Sequence, residues 1–145
     1  MRTVQLDESV LSELKGKTAI VTGGAGGIGG SAVRLFSDRG ANVVIADLPR
    51  MQNAAQELIS SLPVPGSAVF QPTNIVDWTQ MKKLFRFTAD RFGSVDIVVG
   101  NAAVMESCSV LNPPHADPDH EPEEPTEAYK VIDINLKGTL NSRFL

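Results

Sequence analysis

Short apolar runs alternate along the chain with segments of helical periodicity. The runs at residues 18–22, 43–46, 68–70 and 95–99 are rich in β-branched residues, which is typical of buried strands. The segments that separate the first strands are long enough for helices. The alternation therefore predicts an α/β fold in which right-handed βαβ units build a parallel sheet.

Four segments carry the periodicity or the boundary residues of helices. They cover residues 28–39, 51–62, 78–92 and 126–145. We expect Gly40 and Gly93 to end two of these helices, and Asp77 and Thr126 to cap the last two. The predicted inward faces of the first three helices are Ile28, Ala32, Leu35 and Phe36; Met51, Ala54, Ala55, Leu58, Ile59 and Leu62; and Trp78, Met81, Leu84 and Phe85. The fourth helix carries Val131, Ile132, Ile134 and Leu136.

Length and charge restrict the class of protein. The 145 residues have the size of one domain, and we expect a single domain over residues 1–145. A net charge of −4 argues against a partner held by phosphate neutralisation, so no nucleic acid is expected. No apolar run has the length of a membrane span, and Asp7, Glu8 and Glu13 interrupt the region where a signal peptide would be apolar. These features predict a cytoplasmic protein with no membrane contact.

Residues 106–125 break the alternation and predict an exposed, acidic, proline-rich loop. The loop holds both histidines of the chain, His115 and His120, among several carboxylates. These residues lack the organised spacing of a metal site, so we predict no bound metal. Cys108 is the only cysteine, which excludes an intrachain disulfide, and no base or cation near it in sequence favours a reactive thiolate.

The glycine-rich stretch TGGAGGIGG follows the first predicted strand and opens the first predicted helix. In one register, Gly24, Gly26 and Gly29 match the G-x-G-x-x-G pattern of dinucleotide-binding folds. In another, Gly23, Gly27 and Gly29 match T-G-x-x-x-G-x-G. Both registers predict a loop whose backbone approaches a pyrophosphate and aims a helix N-terminus at its charge.

An acid at the end of the second predicted strand supports this interpretation. Asp47 lies beyond the glycines at about the offset of a carboxylate that binds the adenosine ribose hydroxyls. Its alternative role is that of a turn residue at a strand end. A carboxylate there repels a 2′-phosphate, so NAD is favoured over NADP, although the nearby Arg50 weakens this preference.

A set of motifs extends over nearly the whole chain from about residue 14. It consists of Thr22-Gly23, Gly27-Ile28-Gly29, Asp47, Asn74, Asn101-Ala102 and Ile134-Asn135-Leu136-Lys137-Gly138. In combination these motifs resemble the short-chain dehydrogenase/reductase family. The resemblance selects the register of Gly23, Gly27 and Gly29, which leaves Gly24 and Gly26 as small fillers. It also implies a Rossmann-type doubly wound parallel sheet, incomplete here, with about four strands in the order 3-2-1-4.

The resemblance further implies roles for individual residues. The implied cofactor-binding residues are Thr22, Gly23, Gly27, Ile28, Gly29, Asp47, Asn74, Ile75, Asn101 and Ala102. Asn74 stands where the family has an aspartate that meets the adenine, and its amide can also form that hydrogen bond. Asn101 would position the cofactor and brace the sheet. Asn135 matches the asparagine of the catalytic tetrad, whose backbone carbonyl holds a water in the proton relay.

The rest of the family's catalytic set has no counterpart in the sequence. Hydride transfer there needs a tyrosine, a lysine four residues later and a serine, with the tyrosine after the tetrad asparagine. The only tyrosine, Tyr129, precedes Asn135, and Asp133 lies four residues after it. We therefore expect Tyr129 to be a helix-packing residue and the chain to be a shortened, cofactor-binding half that does not catalyse hydride transfer.

Three interpretations remain open at this point: two functions, and the absence of any function of this chain. The first is an NAD(P)-dependent oxidoreductase lineage whose full-length relatives act on a small alcohol or ketone. The second is a non-catalytic NAD-binding or interaction protein that pairs with itself or with a full-length relative. The fourth strand, residues 95–99, would form an exposed apolar edge, which favours association and predicts marginal stability.

Overall fold

The computed structural model describes residues 12–64, 67–105, 124–143 and 145. Its four strands are β1 (Thr18–Thr22), β2 (Asn42–Asp47), β3 (Ala68–Pro72) and β4 (Ile97–Val99). Its helices are α1 (Gly27–Asp38), α2 (Gln52–Ser60), α3 (Trp78–Phe92), α4 (Thr126–Ile132) and α5 (Thr139–Arg143). A 3₁₀ turn at Pro49–Met51 precedes α2, and a π-helical segment at Asp133–Gly138 joins α4 to α5.

The strands form one parallel sheet in the order β3-β2-β1-β4, so the predicted fold class and strand order are confirmed. In the register of β1, Ile20 pairs with Val44 of β2 on one side and with Val98 of β4 on the other. All five residues of β1 are buried, because β1 has a strand on each side and helices on both faces. Within the described residues, β4 pairs on one side only and forms an edge.

Alternation along the strands divides the core between the two faces of the sheet. Val21, Val43 and Ile45 pack with α1 and α2 on one face. Ile20 and Val44 pack on the opposite face, against α3 and the last helical segments. Since successive strand residues point to opposite faces, the uniformly apolar strand sequences follow from a sheet covered on both sides.

Three inward-facing predictions are wrong. Ile28 is 83% exposed, Leu35 is 40% exposed and Trp78 is 43% exposed. Helix α1 instead approaches the sheet with a stripe of mostly small residues, Gly29, Gly30, Val33 and Ser37. The buried stripe is shifted by one residue from the predicted apolar stripe. Glycine accounts for the shift, because it lets the helix backbone lie close to the sheet.

Trp78 is the first residue of α3 and lies one turn before the buried stripe of that helix, which consists of Met81, Leu84 and Thr88.

The C-terminal helical region also differs from the prediction. Thr126 does not cap it; Pro125 occupies the N-cap position, without a side-chain hydrogen bond. The single expected helix is interrupted by its π-helical segment, where Gly138 lies directly against the side chain of Ile75. None of the helices in the described ranges is both long and apolar enough to cross a membrane.

A side chain fastens the beginnings of β1 and β4. Asp96 accepts a hydrogen bond from the backbone N–H of Thr18 at 2.8 Å, and another from the Ser94 hydroxyl at 3.0 Å. The Lys17 ammonium lies 3.8 Å from the same carboxylate. The backbone hydrogen bond from Thr18 and the other two contacts lower the pKa of Asp96 below its ordinary value.

The predicted N-cap of α3 at Asp77 is confirmed, and so are the predicted ends of α1 at Gly40 and of α3 at Gly93. Asp77 Oδ1 accepts from the backbone N–H groups of Thr79 at 2.8 Å and Gln80 at 3.1 Å. Gly40 and Gly93 have φ angles of 79° and 88°, the left-handed conformation that ends a helix. The hydrogen bonds from Gln80 are the main cause that lowers the pKa of Asp77.

Replacing Asp77 tests the cap of α3. We expect Asp77→Ala to lower the melting temperature at pH 7, whereas Asp77→Asn retains an acceptor and stays close to the parent chain. Because the folded-state pKa of Asp77 lies below its ordinary value of 3.8, its contribution is fully present above that pH. The difference between parent and alanine variant should shrink as the pH falls through the folded-state pKa. Thermal melts from pH 7 to pH 2 that show a constant difference would contradict this.

Candidate functional site

A cleft of about 1040 Å³ opens at the carboxyl ends of the strands. The glycine loop after β1 forms its floor, and the segments that follow β2, β3 and β4 form one side. Helix α4 forms the facing wall with Thr126, Tyr129 and Lys130. In parallel α/β sheets, ligands bind at this end, where the loops that follow the strands converge. The cleft is therefore the candidate site.

The glycine loop turns sharply as it leaves β1. Gly23 and Gly27 have φ angles of 63° and 55°, which residues with a Cβ rarely adopt. The backbone N–H of Gly23 donates to the carbonyl of Ala46 in β2 at 2.8 Å, which holds the loop against the neighbouring strand. The loop thus needs glycine at two of the three positions that the resemblance selects.

Gly29 is required for a different reason. A Cβ at this position would overlap the carbonyl oxygen of Gly23 and lie 2.6 Å from the side-chain nitrogen of Asn101. The first turn of α1 therefore packs directly on the loop. Gly24 is also tight, since a Cβ there would lie 2.8 Å from the Val21 carbonyl oxygen, so this position too has little room for a side chain. Gly26 has no such neighbour.

A network around Thr22 and Asn101 joins the ends of β1 and β4. The Thr22 hydroxyl accepts from the backbone N–H groups of Asn101 at 3.0 Å and Ala102 at 3.1 Å, and donates to the Val99 carbonyl at 3.2 Å. The Asn101 amide donates to the carbonyls of Thr22 at 3.0 Å and Gly23 at 3.2 Å. These bonds position the glycine loop relative to the segment that follows β4.

Asp47 is oriented towards the glycine loop. Its Oδ2 accepts from the backbone N–H of Ala25 at 3.1 Å, and its Oδ1 accepts from the N–H of Leu48 at 2.8 Å. The side chain is half-buried at the rim of the cleft, and Arg50 lines the cleft close by in sequence. A carboxylate has further lone pairs, so these two bonds leave it able to accept hydrogen bonds from a ligand.

Asn74 and Ile75 form the part of the cleft that follows β3. The side-chain oxygen of Asn74 accepts from the N–H of Val76 at 3.1 Å, and its backbone N–H donates to Gln80 at 2.8 Å. Ile75 is buried, and its carbonyl accepts from the Asn141 amide of α5 at 2.8 Å. The segment after β3 is therefore fixed to the C-terminal helical region.

Asn135 lies in the π-helical segment, and its side chain pairs with the backbone of Val104. Its Oδ1 accepts from the Val104 N–H and its Nδ2 donates to the Val104 carbonyl, both at 2.8 Å. Its backbone carbonyl, to which the resemblance assigns a water, accepts from the Thr139 hydroxyl at 2.7 Å. The side chain thus anchors the helix to the segment that follows β4.

The structure brings most of the predicted site residues together. Those that line the cleft are Gly23, Gly27, Asp47, Asn74, Ile75, Asn101 and Ala102. Thr22, Gly29 and Asn135 support these residues from behind, whereas Ile28 points into solvent at the start of α1. Their roles in binding and catalysis stay predictions.

Sequence reasoning missed the α4 wall of the cleft. The prediction that Tyr129 packs within a helix is wrong, because it is 51% exposed and faces the cleft together with Lys130 and Asp133. Their spacing of three and four residues marks one helical face, which was the available signal. The candidate metal ligands His115 and His120, and Cys108, lie outside the described residues. No group of three metal-ligating side chains occurs in the part that is described.

Comparisons with known proteins agree with this geometry. The family model for the short chain dehydrogenases matches residues 17–143, so the chain belongs to the short-chain dehydrogenase family. The resemblance found in the sequence is thereby confirmed.

Individual relatives of known name are similar to the chain in sequence. The chain is 36% identical over 135 residues to (+)-borneol dehydrogenase 2 of Salvia officinalis, a match that covers 93% of this chain and 44% of the relative. It is 43% identical over 94 residues to short-chain dehydrogenase reductase 4 of Arabidopsis thaliana, covering 65% of this chain and 30% of the relative. The chain therefore spans less than half the length of these relatives.

A solved structure shares the fold. The 3-ketoacyl-(acyl-carrier-protein) reductase of Brucella melitensis, complexed with NADH, superposes with a TM-score of 0.73 at 27% identity. The superposition covers 90% of this chain and 48% of that protein.

Two adjacent glycines of α1 provide a matched test of the site's packing. We expect Gly29→Ala to lower the free energy of unfolding by about 2 kcal/mol, because its methyl group would displace the glycine loop. Gly30→Ala places a Cβ no closer than 3.7 Å to a neighbour and should leave stability unchanged or raise it by up to about 1 kcal/mol. Urea unfolding of both variants measures the difference. Equal stabilities would contradict the close packing of α1 on the loop.

Proposed function

We propose that this chain binds a nicotinamide dinucleotide, with NAD preferred to NADP, as the cofactor-binding part of a short-chain dehydrogenase/reductase. The observation that carries the proposal is the Asp47 carboxylate, which lies at the rim of the cleft and is hydrogen-bonded to the glycine loop at Ala25. The carboxylate is thus next to the backbone that would meet a pyrophosphate, as a ribose-binding acid needs to be.

The glycine loop fits the pyrophosphate. Gly23 and Gly27 leave the loop backbone uncovered by side chains on the side of the cleft, and the N-terminus of α1 begins at Gly27. The unpaired N–H groups of a helix N-terminus and its positive dipole end favour a negatively charged group. Both the space and the charge therefore suit a diphosphate.

The preference for NAD follows from charge. In this pose Asp47 accepts hydrogen bonds from the ribose hydroxyls, while a 2′-phosphate would face its negative charge. Arg50 lines the same cleft, so its guanidinium reduces this repulsion without removing the carboxylate. We therefore expect a moderate preference for NAD. Asn74 and Ile75, which lie beyond Asp47 on the β3 side, would hold the adenine.

Full-length members of the family catalyse hydride transfer between the nicotinamide and an alcohol or carbonyl carbon. Asn135 is the proposed tetrad asparagine, and the tyrosine–lysine pair has no counterpart in the 145 residues. We therefore expect the 145-residue chain alone to bind cofactor without turning over a small alcohol or ketone.

A second candidate function rests on the open edge of β4. A groove of about 750 Å³ runs along this edge, between α3 and α5, and Val98 at its base is 36% exposed. An unpaired apolar strand can pair with another chain. The alternative is therefore a non-catalytic NAD-binding or interaction protein that associates through this edge with a second copy or a full-length relative. Its location in the cytoplasm is part of either proposal.

Nucleotide titrations of the 145-residue chain test the cofactor proposal. The cleft holds the adenosine and pyrophosphate half of the cofactor, so we expect NAD to bind with a Kd of roughly 1 mM, near −4 kcal/mol. NADP should bind more weakly. Asp47→Ala should weaken the binding of NAD, so that the affinities for NAD and NADP become equal or reverse their order.

Asp38→Ala is the matched control, because it removes an exposed carboxylate from the end of α1, outside the cleft. This variant should keep the preference for NAD. Equal binding of NAD and NADP by the parent chain, or an unchanged preference after Asp47→Ala, would contradict the proposal. Micromolar binding would contradict the expected affinity alone.

A further inference from the structure

The wall of the cleft formed by α4 carries one aromatic side chain that the cofactor proposal leaves unused. Tyr129 is the only aromatic residue among the described residues that line the cleft. About half of its surface is exposed, so the core does not enclose the side chain. An uncovered aromatic ring inside a cleft offers a flat surface on which a planar ligand can stack.

The attachment of the helical region indicates which part of a dinucleotide the ring would meet. Gly138 lies against Ile75, and the Asn141 amide donates to the Ile75 carbonyl at 2.8 Å. The helical region that carries Tyr129 is thus fixed to the segment after β3. In the sheet, β3 lies beyond β2, on the side away from β4. A base attached to a ribose held by Asp47 would extend towards this side.

We propose that the ring of Tyr129 stacks on the adenine and forms the outer wall of its site, opposite the segment that follows β3. The inference rests on the proposed binding of a dinucleotide and adds a specificity-determining residue to it. The contribution comes from the face of the ring, because adenine has a π-face that stacks on an aromatic side chain whatever its polar edge contacts. The phenol hydroxyl is not needed.

Variants of Tyr129 separate the effect of ring stacking on AMP binding from the effects of the hydroxyl and of helix stability. Tyr129→Ala should weaken the binding of AMP by about tenfold, which is within the range measured for aromatic–base stacking. Tyr129→Phe keeps the ring and should bind AMP like the parent chain. Ile132→Ala is the control on the same helix, because Ile132 is 55% exposed and does not line the cleft, and it should leave AMP binding unchanged.

The single tyrosine also provides a direct reporter. A chain labelled with 3-fluorotyrosine has one fluorine resonance, since Tyr129 is the only tyrosine in the sequence. Stacked adenine should shift this resonance through its ring current when AMP is added. Ribose 5-phosphate, which lacks the base, should leave it in place.

The outcomes distinguish this inference from the proposed function. If AMP and NAD bind but the fluorine resonance does not move and Tyr129→Ala binds AMP like the parent chain, the stacking role is overturned while cofactor binding stands. If neither AMP nor NAD binds to the folded chain, both proposals fail. A shift with AMP together with the tenfold loss in Tyr129→Ala supports the inference.

Discussion

The hydroxyl of Thr22 joins the carboxyl ends of β1 and β4, and the shape of the cleft depends on this junction. It accepts hydrogen bonds from the backbone N–H groups of Asn101 and Ala102 and donates one to the carbonyl of Val99. At the other end of the same strand pair, Asp96 binds the backbone of Thr18. Because β4 is only three residues long and pairs on one side among the residues that the structure describes, these side-chain bonds at both ends hold it in register with β1.

The same junction also positions the glycine loop. The Asn101 amide binds the carbonyls of Thr22 and Gly23, and the space that this leaves is too small for a Cβ on Gly29. Helix α1 must therefore begin close to the loop, with its N-terminus directed at the cleft. Asp47 reaches the loop from β2 through Ala25, so neighbouring strands contribute to one wall of the cleft. The cofactor proposal is a consequence of this convergence.

The parallel sheet could be predicted from local patterns, whereas the order of its strands was implied only by the resemblance to the family. Apolar β-branched runs separated by helices define a parallel sheet, and the motifs after each run identify the cleft. The orientation of Ile28 and Trp78 could not be predicted, because it depends on which helix face approaches the sheet, and small residues decide this in α1. The spacing of Tyr129 and Asp133 marks a shared helical face, but what that face meets depends on long-range contacts such as those of Gly138 and Asn141 with Ile75.

The free energy of unfolding of Thr22→Val, compared with that of Thr22→Ser, tests the junction most directly. Valine keeps the volume and shape of threonine but removes the acceptor of two N–H groups, so we predict a loss of about 2 kcal/mol or more. Serine keeps the hydroxyl and removes one methyl group, so its loss should be no more than about 1 kcal/mol. Urea unfolding that finds the valine variant as stable as the parent chain, or more stable than the serine variant, would contradict the account.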